Sequence, residues 1–266
     1  MKNGIVKKAL KIIGRDLSRN TLKLIAIVTI TIGHFFLYTL GNFHVFGLGK
    51  PWAGIICYIC FMGPPIFMFF ISEGFRHTRS KWRYGRRLLL FALITQFAYA
   101  ITTKQGIGFS FHKFFFEWNV FFALFLGFLD LCILTSEWKT VMKAAGVLAT
   151  LLLSYFTNME WWVFGQLIIM IFYFLREHRF LKFLCATACF YLTFVFGDCN
   201  FGGGFVPSLF TKSMCYIIPY GMAGIALVTF CYKGRNGKKS KFLQYFFYVF
   251  YPLHLVLIDV VKLIAG

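Results

Sequence analysis

The stretch WAGIICYICFMGPPIFMFFISEGFRHTRSKWRYGRR, residues 52–87, decides the fold. Residues 52–75 carry one charge, Glu73, while residues 76–87 carry six Lys and Arg. About 20 mainly apolar residues cross a bilayer as a helix, whose backbone polar groups are then paired within the segment. The abrupt basic stop reads as a cytosolic loop, because Lys and Arg collect on that side. The run therefore predicts a transmembrane helix whose C-terminal end is inside.

Working outward, eight further apolar runs lie at about 22–41, 88–103, 114–134, 142–157, 161–175, 183–197, 214–232 and 243–265. Four of them (88–103, 142–157, 161–175 and 183–197) are short, and the break at Asn158 and Glu160 is the least defined. With the N-terminus inside, the inner segments hold 23 of the 28 Lys and Arg; Lys50, Lys104, Lys113, Lys212 and Lys262 are the remainder. This asymmetry predicts an all-α polytopic transmembrane helix bundle of about nine spans, N-terminus cytosolic and C-terminus outside, in the cell (cytoplasmic) membrane. Residues 1–21 form a basic amphipathic lead suited to a membrane surface, and residues 22–266 a single integral membrane domain. No small-residue cleavage site follows the first run, so it reads as an uncleaved helix rather than a signal peptide.

Composition agrees. Of 266 residues, 59% are hydrophobic and only 14% charged, against about 25% charged in soluble domains. Thirty-seven Phe against nine acids exclude an ordinary soluble enzyme, a disordered chain and a disulfide scaffold. The net charge of +19 is accounted for by the inner loops, so no nucleic acid is implied. Seven of eight Cys fall in apolar runs and behave as small hydrophobes. Cys199, in the external loop DCNFGGGFVPSLF (198–210), leaves a bridge to Cys215 open. Cys57-x2-Cys60 lacks the second ligand pair of a zinc site, so no metal is expected. The loop's three glycines lack the lysine-serine/threonine pair of a phosphate loop.

The informative residues are polar ones placed in lipid, where ionisable groups face a partner or a cavity. His34 lies about twelve residues into the first helix, roughly 18 Å at 1.5 Å per residue. Thr31 and Tyr38 share its face. An imidazole there serves either as a general base for an amine or hydroxyl or as an interhelical hydrogen-bonding group. Glu73, Arg76 and His77 sit at helical spacing at the cytosolic end of the second run. They form either a local ion pair or a site for a phosphate or carboxylate in which Glu73 orients Arg76. Arg79, Arg83, Arg86 and Arg87 extend that basic strip. Glu117, Asn119, Gln96 and Gln166 suit hydrogen bonding between helices. Pro252 frees the carbonyl of Tyr248 and predicts a kink. His254 or Tyr251 then either satisfies freed backbone or forms a second wall of the His34 cavity.

Absences narrow the chemistry. There is no Gly-x-Ser nucleophile in a helix, no Glu-Glu pair and no His-Glu-x-x-His motif. Acyl transfer with one buried base and a cytosolic thioester donor survives, as does a non-catalytic carrier or scaffold.

LKLIAIVTITIGHF (22–35), PPIFMFFISEGFRHTR (64–79), YGRRLLLFALITQ (84–96), NVFFALFLGF (119–128) and QYFFYVFYPLHL (244–255) together resemble the TraX family over about residues 22–258. The resemblance implies a multi-span membrane acetyltransferase related to the membrane acyltransferase superfamily. The activity named in that family is acetylation of a pilin N-terminus with acetyl-CoA as donor. Family elements match at Glu73, Gly74, Phe75, His77, Thr78, Asn119, Tyr251, Pro252 and His254. Three departures stand out. The family's Asp-His reads Gly33-His34 here, its Gly-Arg is missing from CFMGPPIF, and Glu160 replaces an Asp.

The resemblance implies a catalytic set of His34 as base, Glu73, and Asn119 at the oxyanion. Acetyl-CoA would be held by Arg76, His77, Arg79, Arg83 and Arg87, and the substrate cavity built by Tyr38, Glu117, Tyr251 and His254. Without the acid, His34 needs another orienter, Glu117 or Tyr38. The acceptor would be a peptide, a pilin or a surface glycan, the other partners membrane lipids and, in a homodimer, a second copy. The missing acid and Arg equally motivate the alternative, a carrier or assembly scaffold with no chemistry.

Overall fold

A computed structural model describes residues 16–40, 55–103, 106–197, 214–235 and 241–265. The lead before residue 16 and the external loop with Cys199 lie outside the described residues. Helix α1 spans Arg19–Leu40. A 3-10 stretch, Tyr58–Met62, runs into α2, Gly63–His77. The two prolines of GPP fall in the first turn of α2, where their missing N–H groups have no intrahelical partner to lose. Helix α3 is Lys81–Ile101. It leads to a two-residue antiparallel pairing of β1 (Thr102–Thr103) with β2 (Gly106–Ile107) and to the short α4, Phe111–Phe116. Then follow α5 (Val120–Leu134), α6 (Thr140–Phe156), α7 (Trp162–Phe174), α8 (Arg179–Gly197), α9 (Met214–Ala226, continuing as a π-helical turn to Cys231) and α10 (Lys241–Ala265).

Each of the nine apolar runs falls on a helical segment. Among the described residues, four segments are long and apolar enough to cross a membrane: Ile55–His77, Phe111–Leu134, Arg179–Phe196 and Met214–Cys231. Thr140–Phe156, Trp162–Phe174 and Tyr245–Val261 are shorter apolar helices. The run expected at 114–134 is interrupted at Glu117–Asn119. Asn119 takes extended backbone and caps α5 by accepting from Phe121 N–H at 2.9 Å. The break at 158–160 is real as well. Asn158, Trp161 and Trp162 have positive φ, and the chain reverses there between α6 and α7.

Helix α2 is central, packed against α1, α5, α7 and α9. Its Ile66 and Met68, with Leu131 of α5 and Ile168, Ile169 and Phe172 of α7, are almost fully buried. The outward faces are apolar too. On α1, Leu24, Val28, Ile32 and Phe35 form an exposed stripe, and Tyr245, Val249, Leu253 and Leu257 do the same on α10. Stripes of this extent belong in lipid rather than water, and the protein is a membrane protein.

Two polar clusters inside the bundle are bonded across helices. Asp130 of α5 is fully buried. It accepts from the Thr150 hydroxyl (2.5 Å) and the Gln166 amide (3.0 Å), and Ser154 donates to Gln166 (2.7 Å). Three helices are tied by this network. Gln96 likewise donates to the carbonyls of Lys113, Phe114 and Glu117, closing the end of α4.

Candidate functional site

Helix α10 packs on α1 and α3 and closes a cavity of about 100 Å³ against α1, α2, α3 and α5. On α1 its wall is Lys23, Ile27, Ile30 and His34, spaced as one helix face. Lys23 and His34 are eleven positions apart, about 16 Å along the axis at 1.5 Å per residue. The cavity thus runs from the middle of α1 to its Lys/Arg-rich end, where Tyr84 and Leu88 of α3 and Tyr248 of α10 also line it.

At the deep end, His34 Nδ1 lies 3.0 Å from His254 Nε2. The other nitrogen of His254, Nδ1, is 3.3 Å from the carbonyl oxygen of Phe250. A carbonyl only accepts, so His254 Nδ1 carries the proton and its Nε2 is the acceptor. His34 Nδ1–H then donates to His254 Nε2, and His34 Nε2 is the unprotonated nitrogen. The orienter of His34 is therefore His254. Burial of His254, 2% exposed, and stacking on Phe250 at 5.3 Å between ring centroids hold the pair in place. His254 stands behind His34 instead of forming the second cavity wall; Phe250 and Tyr251 do that.

Tyr251 extends the site to an acid. Its hydroxyl donates to Glu160 Oε2 at 3.3 Å, and the same oxygen accepts from Val120 N–H at 2.7 Å, in the first turn of α5. Burial raises the Glu160 carboxyl above the ordinary glutamate range, while these two bonds pull it the other way. Glu160 thus ties together two of the lining residues, Val120 and Tyr251, without lining the cavity itself.

The other sequence candidates are placed as follows. Glu73 pairs with Arg76 at 3.5 Å and His77 at 2.9 Å, off the cavity. Arg79 and Arg83 are exposed. Arg87 is half-buried, its guanidinium carbon 5.8 Å from the centroid of the Tyr84 ring. Both amide protons of Asn119 are taken, by Ala92 O at 3.0 Å and Gln96 Oε1 at 2.6 Å, which makes it a cap and a cross-link with no donor left for an oxyanion. Glu117 ends α4 and meets His112 at 3.2 Å, away from the cavity. The Tyr38 side chain lies outside the described residues.

Gly33 has a physical role. A Cβ there would stand 2.6 Å from both Cβ and N of Cys60 and 2.7 Å from Cys57 O. The 3-10 stretch therefore packs against the backbone of α1 where the family pattern has an acid. Sequence reasoning missed Lys23, Tyr84 and Tyr248. For Lys23 the signal was available: stepping back from His34 by four, seven and eleven positions gives Ile30, Ile27 and Lys23. Asp130 had no such signal, since its partners come from two other helices.

The profile of the TraX family, described as TraX protein, matches residues 18–262. A curated relative, "Probable fimbrial assembly protein FimC, serogroup H1" of Dichelobacter nodosus, is 27% identical over 250 residues, covering 93% of this chain and 97% of its own length. No solved structure matches the chain.

Proposed function

The chain belongs to the TraX family, and from that premise we propose that it is an integral membrane acetyltransferase. The donor is acetyl-CoA from the cytosol. The acceptor is an amine or hydroxyl at or beyond the membrane, on a pilin or other peptide, or on a surface glycan. The proposed setting is the cytoplasmic membrane, crossed about nine times with the N-terminus inside. A homodimer is compatible with the exposed apolar faces. The relative named for fimbrial assembly supports a pilus subunit as acceptor.

One observation carries the reading: His34, on the wall of a cavity that runs to the basic end of α1, is held by His254 in the tautomer a base requires. His34 Nε2 takes the proton of the attacking N–H or O–H. The nucleophile bonds to the thioester carbonyl carbon, the C–S bond breaks, and the proton passes to the leaving thiolate. The donors for the oxyanion come from groups other than Asn119, whose protons are engaged.

A second reading, a non-catalytic carrier or assembly scaffold, has its own support. Gly33 leaves no room for the family acid, and the relative's name specifies assembly rather than chemistry. Titration calorimetry of the detergent-solubilised chain with acetyl-CoA separates the two. Saturable binding supports the transferase; its absence supports the scaffold.

A further inference from the structure

We propose that Arg19, Lys23 and Arg87 form a binding site for a phosphate ester at the basic end of the cavity. Arg19 and Lys23 are one turn apart on α1, and Arg87 comes from α3. Lys23 lines the cavity, its ammonium 5.4 Å above the Phe70 ring and 5.0 Å above Phe247, contacts that hold a cation over aromatic faces. The Arg87 guanidinium carbon lies 5.8 Å from the centroid of the Tyr84 ring. Tyr84 and Tyr248 are cavity walls. The three cations therefore converge on one end of one cavity.

Among the described residues their set of acceptors is incomplete. The Nε atoms of Arg19 and Arg87 are buried and without a hydrogen-bond partner. Among the described residues, none of the three cations pairs with an acid. Asp16, the acid nearest in sequence to Arg19, accepts instead from Lys233 N at 3.1 Å. Glu73, the acid of the neighbouring helix end, is engaged by Arg76 and His77. Buried guanidinium donors with no acceptor are unfavourable unless an anion completes them. Two planar forks and a point charge suit the oxygens of a phosphate.

The basic strip Arg76, Arg79 and Arg83 lacks these properties, being exposed and, at Arg76, already paired. Assigning the phosphate to the thioester donor rests on the acetyl-transfer reading; the site itself does not. A nucleotide phosphate bound here sends the donor's pantetheine arm along the cavity toward His34. A phospholipid headgroup offers the same chemistry.

The test uses the full chain in detergent, titrated with coenzyme A by calorimetry and with phosphatidylglycerol by native mass spectrometry. Arg19→Gln and Arg87→Gln are compared with Arg79→Gln. The expected result is a coenzyme A affinity weakened by about tenfold or more in the first two, as for loss of a charged hydrogen bond, and by less than about twofold in the control. Melting temperatures should hold or rise, because each of the two variants removes a half-buried cation that pairs with no acid among the described residues. Should one of these variants fail to melt cooperatively, the other and Arg87→Lys decide, the latter keeping the charge and part of the affinity. If the wild type ignores coenzyme A yet loses phosphatidylglycerol on these substitutions, the phosphate is a headgroup: the site stands and the acetyl-transfer reading fails. If neither ligand responds to Arg19→Gln or Arg87→Gln, the site is overturned, whatever a transfer assay gives.

Discussion

The imidazoles of His34 and His254 meet nitrogen to nitrogen at 3.0 Å across 220 positions of sequence. That contact joins the first described helix to the last, and it sets the protonation pattern of both rings. The Phe250 carbonyl dictates the His254 tautomer, and His254 in turn dictates that of His34.

His254 is a positioning residue on this account, and its replacements divide sharply. Gln retains an acceptor for His34 Nδ1–H, and His254→Gln should keep kcat within a few-fold. His254→Leu removes the acceptor and should lower kcat by roughly 10–100-fold, less than loss of the base itself. The KM for acetyl-CoA should stay unchanged in both. Equal kcat for the Gln and Leu variants would show that the tautomer plays no part.

Gly33→Asp, which writes the family's acid beside His34, should destabilise the chain rather than activate it. The new Cβ meets Cys60 Cβ and N and Cys57 O, and overpacking of this kind costs about 1–3 kcal/mol. Thermal melting in detergent reads the effect. Cys60→Gly should restore only part of the loss, because two of the three close atoms are backbone. A Gly33→Asp chain that melts with the wild type would mean that α1 and the 3-10 stretch separate easily.

Asp130→Ala should lower stability by roughly 1–3 kcal/mol, because it takes the acceptor from the buried Gln166 amide, whereas the Thr150 hydroxyl keeps the Val147 carbonyl at 2.7 Å. Asp130→Asn keeps an acceptor and should be milder. Label transfer, measured at a temperature where the variants are folded, should be unaffected, since Asp130 does not line the cavity. A selective loss of transfer without loss of stability would move Asp130 into the functional site.

How much of this was legible in the sequence follows from what sets each feature. Lipid demands apolar, internally bonded segments, so hydropathy located a helix for every run and placed the turn at Asn158–Glu160. The interruption at Glu117–Asn119 stayed hidden because Phe111–Leu134 is apolar on both sides of it; only the Asn119 cap and the Gln96 cross-link reveal it. His34 stood out as a ring in the wrong solvent. Its orienter did not, because sequence neighbours suggested Glu117 or Tyr38 while the partner lay on α10. Lys23 was hidden for the opposite reason. Inner ends of helices are basic in any membrane protein, and only packing separates a cation that faces a cavity from one that merely sets orientation. Whether Gly33 tolerated the absent acid or excluded it depended on a neighbour's backbone, which no local pattern encodes.

The most direct test of the central claim is the initial rate of label transfer from radiolabelled acetyl-CoA, comparing wild type with His34→Ala. Both would be presented with a pilin-type N-terminal peptide and a panel of amino and hydroxyl glycans. The account predicts a fall of about 10²–10⁴-fold in kcat, with coenzyme A binding retained. Wild-type transfer that persists undiminished in His34→Ala would contradict it.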